Sequence, residues 1–276
     1  MSKLPDLLRV FDGAHLPLSK TYPQLILVTS ALSTSGSWIL QHFVRASVAN
    51  QQGSPYGSDS LEQKRPVVFV SFLHDLEFHA RCFRKAGLDL NAIITAKQFI
   101  YVDGFTRLFV ATPAETNSMV YLQSANKSTW LYQIRSAILE AKAGGISPTL
   151  IFEGLDSLHA LGIMTAKEIL RFVADLQEDS AISIISAYSV DRMLDGMSTL
   201  AQEQTAYLFS LARRAVAVFS LRPLSTGMAE DVTGAMRITN GGQPCDAREI
   251  VDENEFHYFL GDGNVGGVKV FEKGHW

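Results

Sequence analysis

The sequence predicts an α/β protein, with a mostly parallel β-sheet, helices on both of its faces and antiparallel hairpins at its C-terminal end. Short apolar runs of strand length alternate with segments of helical periodicity, which is the order that β-α-β units produce. The runs are nearly continuous in Val, Ile and Leu, as is typical of strands buried on both faces. After Leu221 the helical segments stop, and Gly-rich turns separate short alternating runs that favour hairpins at a sheet edge.

Six apolar runs predict the parallel strands, and three alternating runs predict the hairpin strands. The first set covers residues 24–29, 66–72, 99–104, 149–152, 181–187 and 215–221. The second set covers residues 235–239, 257–260 and 268–271. Gly and Pro punctuate the runs, which fits strands of ordinary length joined by turns and helices.

Four segments carry helical signals. Apolar spacing predicts a helix over residues 38–49 and another that ends at Gly144 and Gly145. Two further helices begin with the capping-box pattern, in which a hydroxyl residue is followed three positions later by Glu or Gln. These pairs are Thr165 with Glu168 and Thr199 with Gln202.

Composition predicts a globular chain, and its length fits one large α/β domain as well as two. The chain has 276 residues, of which 47% are hydrophobic and 19% charged, so it can bury a large core and is unlike a disordered chain. We expect residues 21–276 to form the domain and residues 1–20 to be an N-terminal extension. Residues 51–65, rich in Gly, Ser and Gln, predict a flexible insertion, and residues 222–276 form the hairpin region.

The charge balance argues against a dedicated nucleic-acid-binding module. The chain has 24 Lys and Arg against 28 Asp and Glu, a net charge of −4. The acidic excess lies in residues 222–276, which hold 5 basic and 9 acidic side chains, whereas the rest holds 19 of each. Binding of a polyanion would therefore need a local basic surface.

The two cysteines, Cys82 and Cys245, are too few for a disulfide framework, which favours a reducing, intracellular compartment. Asp6 and Asp12 do not fit a signal or transit peptide. No apolar stretch approaches the roughly 18–20 residues that a membrane helix requires. We expect a soluble, cytoplasmic protein, and a nuclear location stays open.

The loop after the first predicted strand occupies the place of a P-loop but lacks its chemistry. When G-x-x-x-x-G-K-[ST] is aligned on Gly36, Ala31 takes the first glycine position, Ser37 the lysine and Trp38 the hydroxyl residue. Ser37 cannot neutralise a phosphate and Trp38 cannot coordinate magnesium. The sequence predicts no functional P-loop and no cofactor, although weak phosphate binding by backbone N–H groups at the helix start remains an alternative.

Glu153 ends the fourth predicted strand, where an NTPase usually presents an Asp to water and magnesium. Without the lysine of the P-loop, this carboxylate fits an ancestral position better than an active one. We therefore predict a structural Glu153 and no catalytic residue.

Titratable side chains follow the second predicted strand. His74, Asp75, Glu77 and His79 suggest metal binding or acid–base chemistry. On one helix, however, His74 and His79 would lie roughly 140° apart, whereas a metal pair prefers a spacing of four residues. His79 and Cys82 can share a helix face, but two ligands do not make a zinc site. We expect no metal site here.

Two other patterns carry no function. Residues 261–266 fit G-x-G-x-x-G, but only ten residues follow them, too few for a β-α-β unit. Ser198 lies in a partial nucleophile elbow that lacks its second glycine, so it does not support a hydrolase. We predict Ser198 near the start of the next helix.

The segment 222–242, RPLSTGMAEDVTGAMRITNGG, closely resembles the C-terminal signature of the family of the sixth subunit of the Elongator complex. The matching residues are Pro223, Leu224, Thr226, Gly227, Ala229, Asp231, Val232, Thr233, Gly234, Gly241 and Gly242. Two weaker segments agree with it: Ser71, Phe72, Leu73, His74, Asp75 and Phe78, and residues 149–153 with Leu155, Leu158 and Leu161. Together the pieces span residues 22–245.

The resemblance implies a RecA-like domain that has lost its phosphate loop. It implies a non-catalytic subunit that joins Elongator subunits 4 and 5 in a hetero-hexameric ring, with the former nucleotide cleft serving as interface. In the family that ring binds tRNA and assists the catalytic subunits that modify the wobble uridine. The alternative is a degenerate P-loop-type NTPase that still binds nucleotide.

In RecA-like rings the loops after the fourth and fifth strands face the pore, which here means residues 154–164 and 188–197. Their charged side chains are Asp156, Asp191, Arg192 and Asp195, a net negative set. Since tRNA binding needs positive charge, we expect most tRNA contacts to come from the partner subunits, with Arg192 as the best local candidate.

Overall fold

Ten β-strands form one sheet in the residues that the computed structural model describes, namely 23–48, 65–109, 120–122, 127–180, 182–190, 198–227, 229–243, 253–261 and 268–272. The strand order is β10-β9-β8-β7-β1-β6-β5-β2-β3-β4. Neighbours from β7 to β4 pair in parallel, and β7 to β10 pair antiparallel in succession. This mostly parallel sheet with C-terminal hairpins confirms the predicted α/β fold.

The strands follow the predicted apolar runs closely. They are β1 Leu25–Ser30, β2 Val67–Ser71, β3 Phe99–Asp103, β4 Val120–Tyr121, β5 Thr149–Glu153, β6 Ser183–Ser189, β7 Ala217–Arg222, β8 Gly234–Asn240, β9 Asn254–Phe259 and β10 Lys269–Glu272. Nine of the ten were predicted. The exception is β4, whose two residues pair with the end of β3 and are too few to give a periodic signal.

Eight α-helices are present in the described residues. They are α1 Ser37–Val48, α2 Leu76–Lys85, α3 Leu90–Thr95, α4 Thr106–Phe109, α5 Lys127–Ala141, α6 Leu155–Ala160, α7 Ala166–Ser180 and α8 Thr199–Arg214. The four predicted helices correspond to α1, α5, α7 and α8. No helix was predicted at the other four positions, α2, α3, α4 and α6. The last three of these span six residues or fewer.

One of the two predicted capping boxes is present and the other is wrong. At α7, the Thr165 backbone N–H donates to Glu168 Oε2 at 2.8 Å, and the Glu168 N–H donates to Thr165 Oγ1 at 3.3 Å. At α8, the cap is Ser198, whose hydroxyl accepts from the Ala201 N–H at 3.1 Å. Ser198 has the extended backbone that a cap requires, so Thr199 becomes the first helical residue.

The strands are buried on both faces because successive side chains point to opposite sides of the sheet. Ile26 and Val28 of β1 pack in a cluster with α1, α2 and α3, whereas Leu25 and Leu27 pack in a second cluster with α5, α6, α7 and α8. All four side chains are at most 1% exposed. The helices therefore form one layer on each side, as the sequence predicts.

The predicted N-terminal extension, residues 1–20, lies outside the described residues, as do residues 51–64 of the predicted insertion. Across the described part of the chain, none of the helices combines the length and apolar character needed to cross a membrane.

Candidate functional site

Several polar side chains that contact one another gather at the carboxyl edge of the parallel strands, where α/β folds place their sites. Ser71 ends β2 and Glu153 ends β5, and the two residues are register partners. Ser37 begins α1 after the loop that follows β1. With His74 and His79 these residues form the Glu153 cluster.

Both carboxylate oxygens of Glu153 accept hydrogen bonds from serine hydroxyls. Ser37 Oγ donates to Oε1 at 2.6 Å, and Ser71 Oγ donates to Oε2 at 2.8 Å. His74 Nδ1 lies 3.2 Å from Oε2, the distance of a hydrogen bond when that nitrogen carries its proton. The Ser71 hydroxyl in turn accepts from the His74 backbone N–H at 3.0 Å, which fixes the turn after β2.

Glu153 is a buried anion stabilised by its neighbours. Burial alone would raise its pKa, because a carboxylate loses hydration in the interior. Hydrogen bonds from His74 and Ser37, together with the electrostatic attraction of the nearby His79 ring, outweigh burial and hold the pKa of Glu153 well below its usual range. The carboxylate is therefore ionised at neutral pH.

His79 is almost completely enclosed. Its side chain is 1% exposed, and Nε2 lies 3.1 Å from Glu153 Oε2. That is an ion-pair distance, but neither ring nitrogen meets an acceptor or donor in hydrogen-bond geometry. The ring packs edge-on against Phe69, with centroids 4.7 Å apart.

The prediction that His74 and His79 point apart is wrong, because it placed both on one helix. Helix α2 begins at Leu76, and Asp75 is its N-cap, accepting from the Phe78 N–H at 2.7 Å. His74 therefore precedes the helix and stacks on Phe78 with ring centroids 3.8 Å apart. In the described residues His74, His79 and Glu153 form a group of potential metal ligands, which does not include Cys82.

The cluster contains no nucleophile paired with a base. Both serine hydroxyls donate to the carboxylate rather than to a histidine ring. Acyl-transfer chemistry requires a hydroxyl that a base can deprotonate, so this arrangement suits a structural or ligand-holding role. Ser198, the other serine considered, is committed to capping α8.

The four P-loop positions each make contacts within the protein. The Ala31 N–H donates to the Leu221 carbonyl at 3.0 Å. A Cβ on Gly36 would lie 3.1 Å from Val28 Cγ1, so glycine suits its close approach to β1. Trp38 is buried against Tyr258 of β9, with ring centroids 5.2 Å apart, and Ser37 bonds Glu153.

Most residues of the C-terminal signature surround the start of β8. Pro223 and Leu224 follow β7, and Thr226 and Gly227 form the turn, with Gly227 at a φ of 94°. Asp231 is exposed before Val232, which is buried. The Thr233 N–H donates to the Tyr258 carbonyl at 2.8 Å, and its hydroxyl accepts from the Leu260 N–H at 2.9 Å.

Close approach requires glycine at three positions of the signature, Gly234, Gly241 and Gly242, the last because a Cβ there would lie 2.7 Å from Arg213 Cα. A Cβ on Gly234 would lie 2.7 Å from Tyr258 Oη and 2.8 Å from the Arg222 carbonyl oxygen. A Cβ on Gly241 would overlap the carbonyl of Ala215. The signature thus positions the hairpin against the end of α8 and the edge of β7.

One of the two predicted pore loops is not a loop. Residues 154–164 contain helix α6, whose Leu155 and Leu158 are buried because they continue the apolar pattern of the core. Asp156 accepts from the Ser189 N–H at 3.2 Å, which links the segments after β5 and β6. Arg192, with Asp191 and Asp195, lies outside the described residues.

Exposed apolar side chains border the Glu153 cluster and occupy two helices. At the carboxyl edge of the sheet, Leu32, Leu73 and Phe105 follow β1, β2 and β3. On the helical layer, the exposed members are Tyr132 and Leu139 of α5 and Leu200 and Phe209 of α8. Single exposed apolar side chains are common on protein surfaces, so these positions serve here as candidate contact surfaces.

The comparisons with known proteins all match one family. A profile of the family described as Elongation complex protein 6 matches residues 17–262. The Elongator complex protein 6 homolog of Schizosaccharomyces pombe is 24% identical over 224 residues, covering 78% of this chain and 82% of that protein. Elongator complex protein 6 of Xenopus laevis is 23% identical over 244 residues, covering 84% and 85%.

Proposed function

The chain belongs to the Elongation complex protein 6 family, and on that premise we propose that it is a non-catalytic subunit of the Elongator complex. It joins Elongator subunits 4 and 5 in a hetero-hexameric RecA-like ring. That ring binds tRNA and supports the catalytic Elongator subunits in modification of the wobble uridine. Residues 21–276 act as one domain within the ring, which works in the cytoplasm, and the nucleus is a second candidate compartment.

The observation that carries the non-catalytic role is the bond between Ser37 and Glu153. In a P-loop NTPase the residues at these positions face phosphate and magnesium. Here the hydroxyl at the lysine position donates to the carboxylate at 2.6 Å, so both groups are committed to each other. Trp38, at the position of the magnesium ligand, is buried against Tyr258.

The distribution of exposed apolar residues supports assembly with two different neighbours. Helix α5 packs on β2 and β3, whereas α8 packs on β1, so the two helices lie toward opposite flanks of their layer. Tyr132 and Leu139 are therefore separated from Phe209 by α7. A heterologous ring needs two distinct surfaces on each subunit, which this arrangement offers.

We expect this subunit to make few of the contacts between the ring and tRNA. The net charge of −4 does not favour a phosphate-tracking surface, so the positive charge of the ring comes mainly from its partners. Arg192 is the candidate contact. If it touches a phosphate, Arg192→Ala in the assembled ring weakens tRNA binding and reduces the salt slope by about 1. An unchanged affinity and slope would contradict this assignment.

The test of assembly is co-expression of the full chain with tagged subunits 4 and 5, followed by purification through the tags. We expect the chain to co-purify with both partners in one complex. Leu139→Asp and Phe209→Asp should each reduce recovery, because a charge would be buried in an interface. Asn91→Asp, at an exposed position of α3 on the other side of the sheet, is the control and should not reduce recovery.

The alternative is a degenerate NTPase that still binds nucleotide. The observation that favours it is the placement of Glu153 beside the start of α1, the geometry of an NTPase cleft. This alternative predicts a rise in the melting temperature of the isolated chain with ATP and magnesium. Our proposal predicts no change, and a saturable rise would favour the alternative.

A further inference from the structure

We propose that His74, His79 and Glu153 form a binding site for one divalent transition-metal ion, with Zn²⁺ as the best match. The site is independent of the proposed role in Elongator. It assigns a ligand to the buried cluster at the carboxyl edge of the sheet.

Two of the three separations between the ligand atoms are already close to those that a zinc ion imposes. Glu153 Oε2 is 3.2 Å from His74 Nδ1 and 3.1 Å from His79 Nε2, and all three atoms lie within 4.8 Å of one another. In a tetrahedral site with bonds of about 2.0–2.1 Å, neighbouring ligand atoms are about 3.3 Å apart. Only small side-chain movements would be needed to close the set around an ion.

His79 supplies a second, independent observation. A side chain that is 1% exposed normally has its polar atoms paired, yet neither nitrogen of this ring has a hydrogen-bond partner. Nε2 lies 3.1 Å from the same carboxylate oxygen that His74 approaches, but not in hydrogen-bond geometry. A metal ion between the three groups would satisfy that nitrogen.

The donor set selects the class of metal. Two imidazoles and one carboxylate form the protein ligand set of many zinc sites that keep an open position. Mg²⁺ and Ca²⁺ prefer oxygen ligands, whereas imidazole suits Zn²⁺, Cu²⁺ and Ni²⁺. The Glu153 carboxylate offsets part of the charge of the ion in the buried site.

The surroundings hold the ligands in place and leave a path for the ion. The Ser37 and Ser71 hydroxyls orient the carboxylate, which is the role of second-shell groups in metal sites. The Tyr101 hydroxyl donates to the His74 carbonyl at 2.6 Å and anchors the turn that carries that ligand. The His74 side chain is 29% exposed, so an ion can enter from its side.

A metal here would join three separate elements. His74 belongs to the turn after β2, His79 to α2 and Glu153 to the end of β5. The ion would stabilise the edge that carries exposed Leu73.

The test uses the untagged full-length chain, stripped with EDTA and titrated with Zn²⁺ alone and Co²⁺ alone. We expect one equivalent of Zn²⁺ by calorimetry and elemental analysis, and a Co²⁺ visible spectrum with the intensity of a tetrahedral site. His74→Ala should weaken Zn²⁺ binding by at least about 100-fold, because loss of a ligand exceeds the 10–100-fold loss known for second-shell changes. His257→Ala, a partly buried histidine of β9, is the control and should bind as the parent does.

His74→Ala should remain folded, since that side chain is partly exposed, and circular dichroism checks this. Glu153→Gln provides a second variant that keeps the side-chain volume and should also lose binding. The proposal is overturned if the parent chain binds no Zn²⁺. It is equally overturned if folded His74→Ala and Glu153→Gln bind Zn²⁺ as tightly as the parent. Neither result bears on assembly with subunits 4 and 5.

Discussion

Replacing Glu153 by Gln tests whether the buried carboxylate stabilises the carboxyl edge of the sheet. Gln has nearly the same volume, so the change removes the charge without opening a cavity. The carboxylate is 2% exposed and accepts hydrogen bonds from Ser37 and Ser71, with His74 at hydrogen-bond distance. The net value of a hydrogen bond to a charged group is about 1.5–3 kcal/mol.

These contacts do not add in full when the charge is removed. The Gln amide can still pair with the serine hydroxyls, and loss of the charge relieves the desolvation of the carboxylate. We therefore expect Glu153→Gln to lower the free energy of unfolding by about 2–4 kcal/mol. With a slope near 3 kcal/mol/M, this lowers the urea midpoint by about 1 M.

The assay is urea unfolding of the isolated chain in EDTA, so that metal binding does not contribute. Glu178→Gln, an exposed glutamate of α7, is the control and should change the stability by at most about 0.5 kcal/mol. If Glu153→Gln matched the control, the cluster would not stabilise the fold and the reasoning would be refuted.

The difference in the free energy of unfolding between the parent chain and Glu153→Gln should depend on pH. The pKa of Glu153 is lowered in the folded state, so its contribution is fully present above the unfolded value of 4.5 and is lost as the pH falls below it. The parent chain should therefore lose more stability than Glu153→Gln as the pH falls from about 5 to about 3, a range that spans the unfolded pKa. Parallel curves for the two proteins would contradict this.

Two further changes test the local structure. Thr165→Ala removes the cap of α7 and should lower the free energy of unfolding by about 1 kcal/mol, as measured by urea unfolding. An unchanged urea midpoint would show that the capping box contributes nothing to stability. Gly234→Ala places a methyl group against Tyr258 and should lower the free energy of unfolding by about 1–3 kcal/mol. Gly144→Ala is the control, because a methyl group there meets nothing within 4 Å and should not destabilise the chain. Equal melting temperatures for the two variants would refute the close approach at Gly234.

The sequence predicts the sheet well because its strands are buried on both faces. Continuous Val, Ile and Leu runs, such as that of β1, indicate both the strand and its approximate bounds. Short elements were missed for the opposite reason, since β4 has two residues and α4 has four, too few for a period to appear. Hairpin strand β8 was recognised from its turns and alternation.

The candidate site was only partly predictable. Ser37 and Glu153 were identified through their positions in a known motif, but their hydrogen bond depends on how α1 starts over β5. The proximity of the His74 and His79 side chains was not predicted, because both residues were placed on one helix. Asp75 was the available signal, since an Asp before an apolar stretch favours an N-cap and would have placed His74 outside α2.

The mass of the co-expressed assembly tests the central claim most directly. Native mass spectrometry of this chain with Elongator subunits 4 and 5 should give one hetero-hexameric species that contains all three proteins. A stable monomer of this chain beside a complex of the other two subunits would contradict the account.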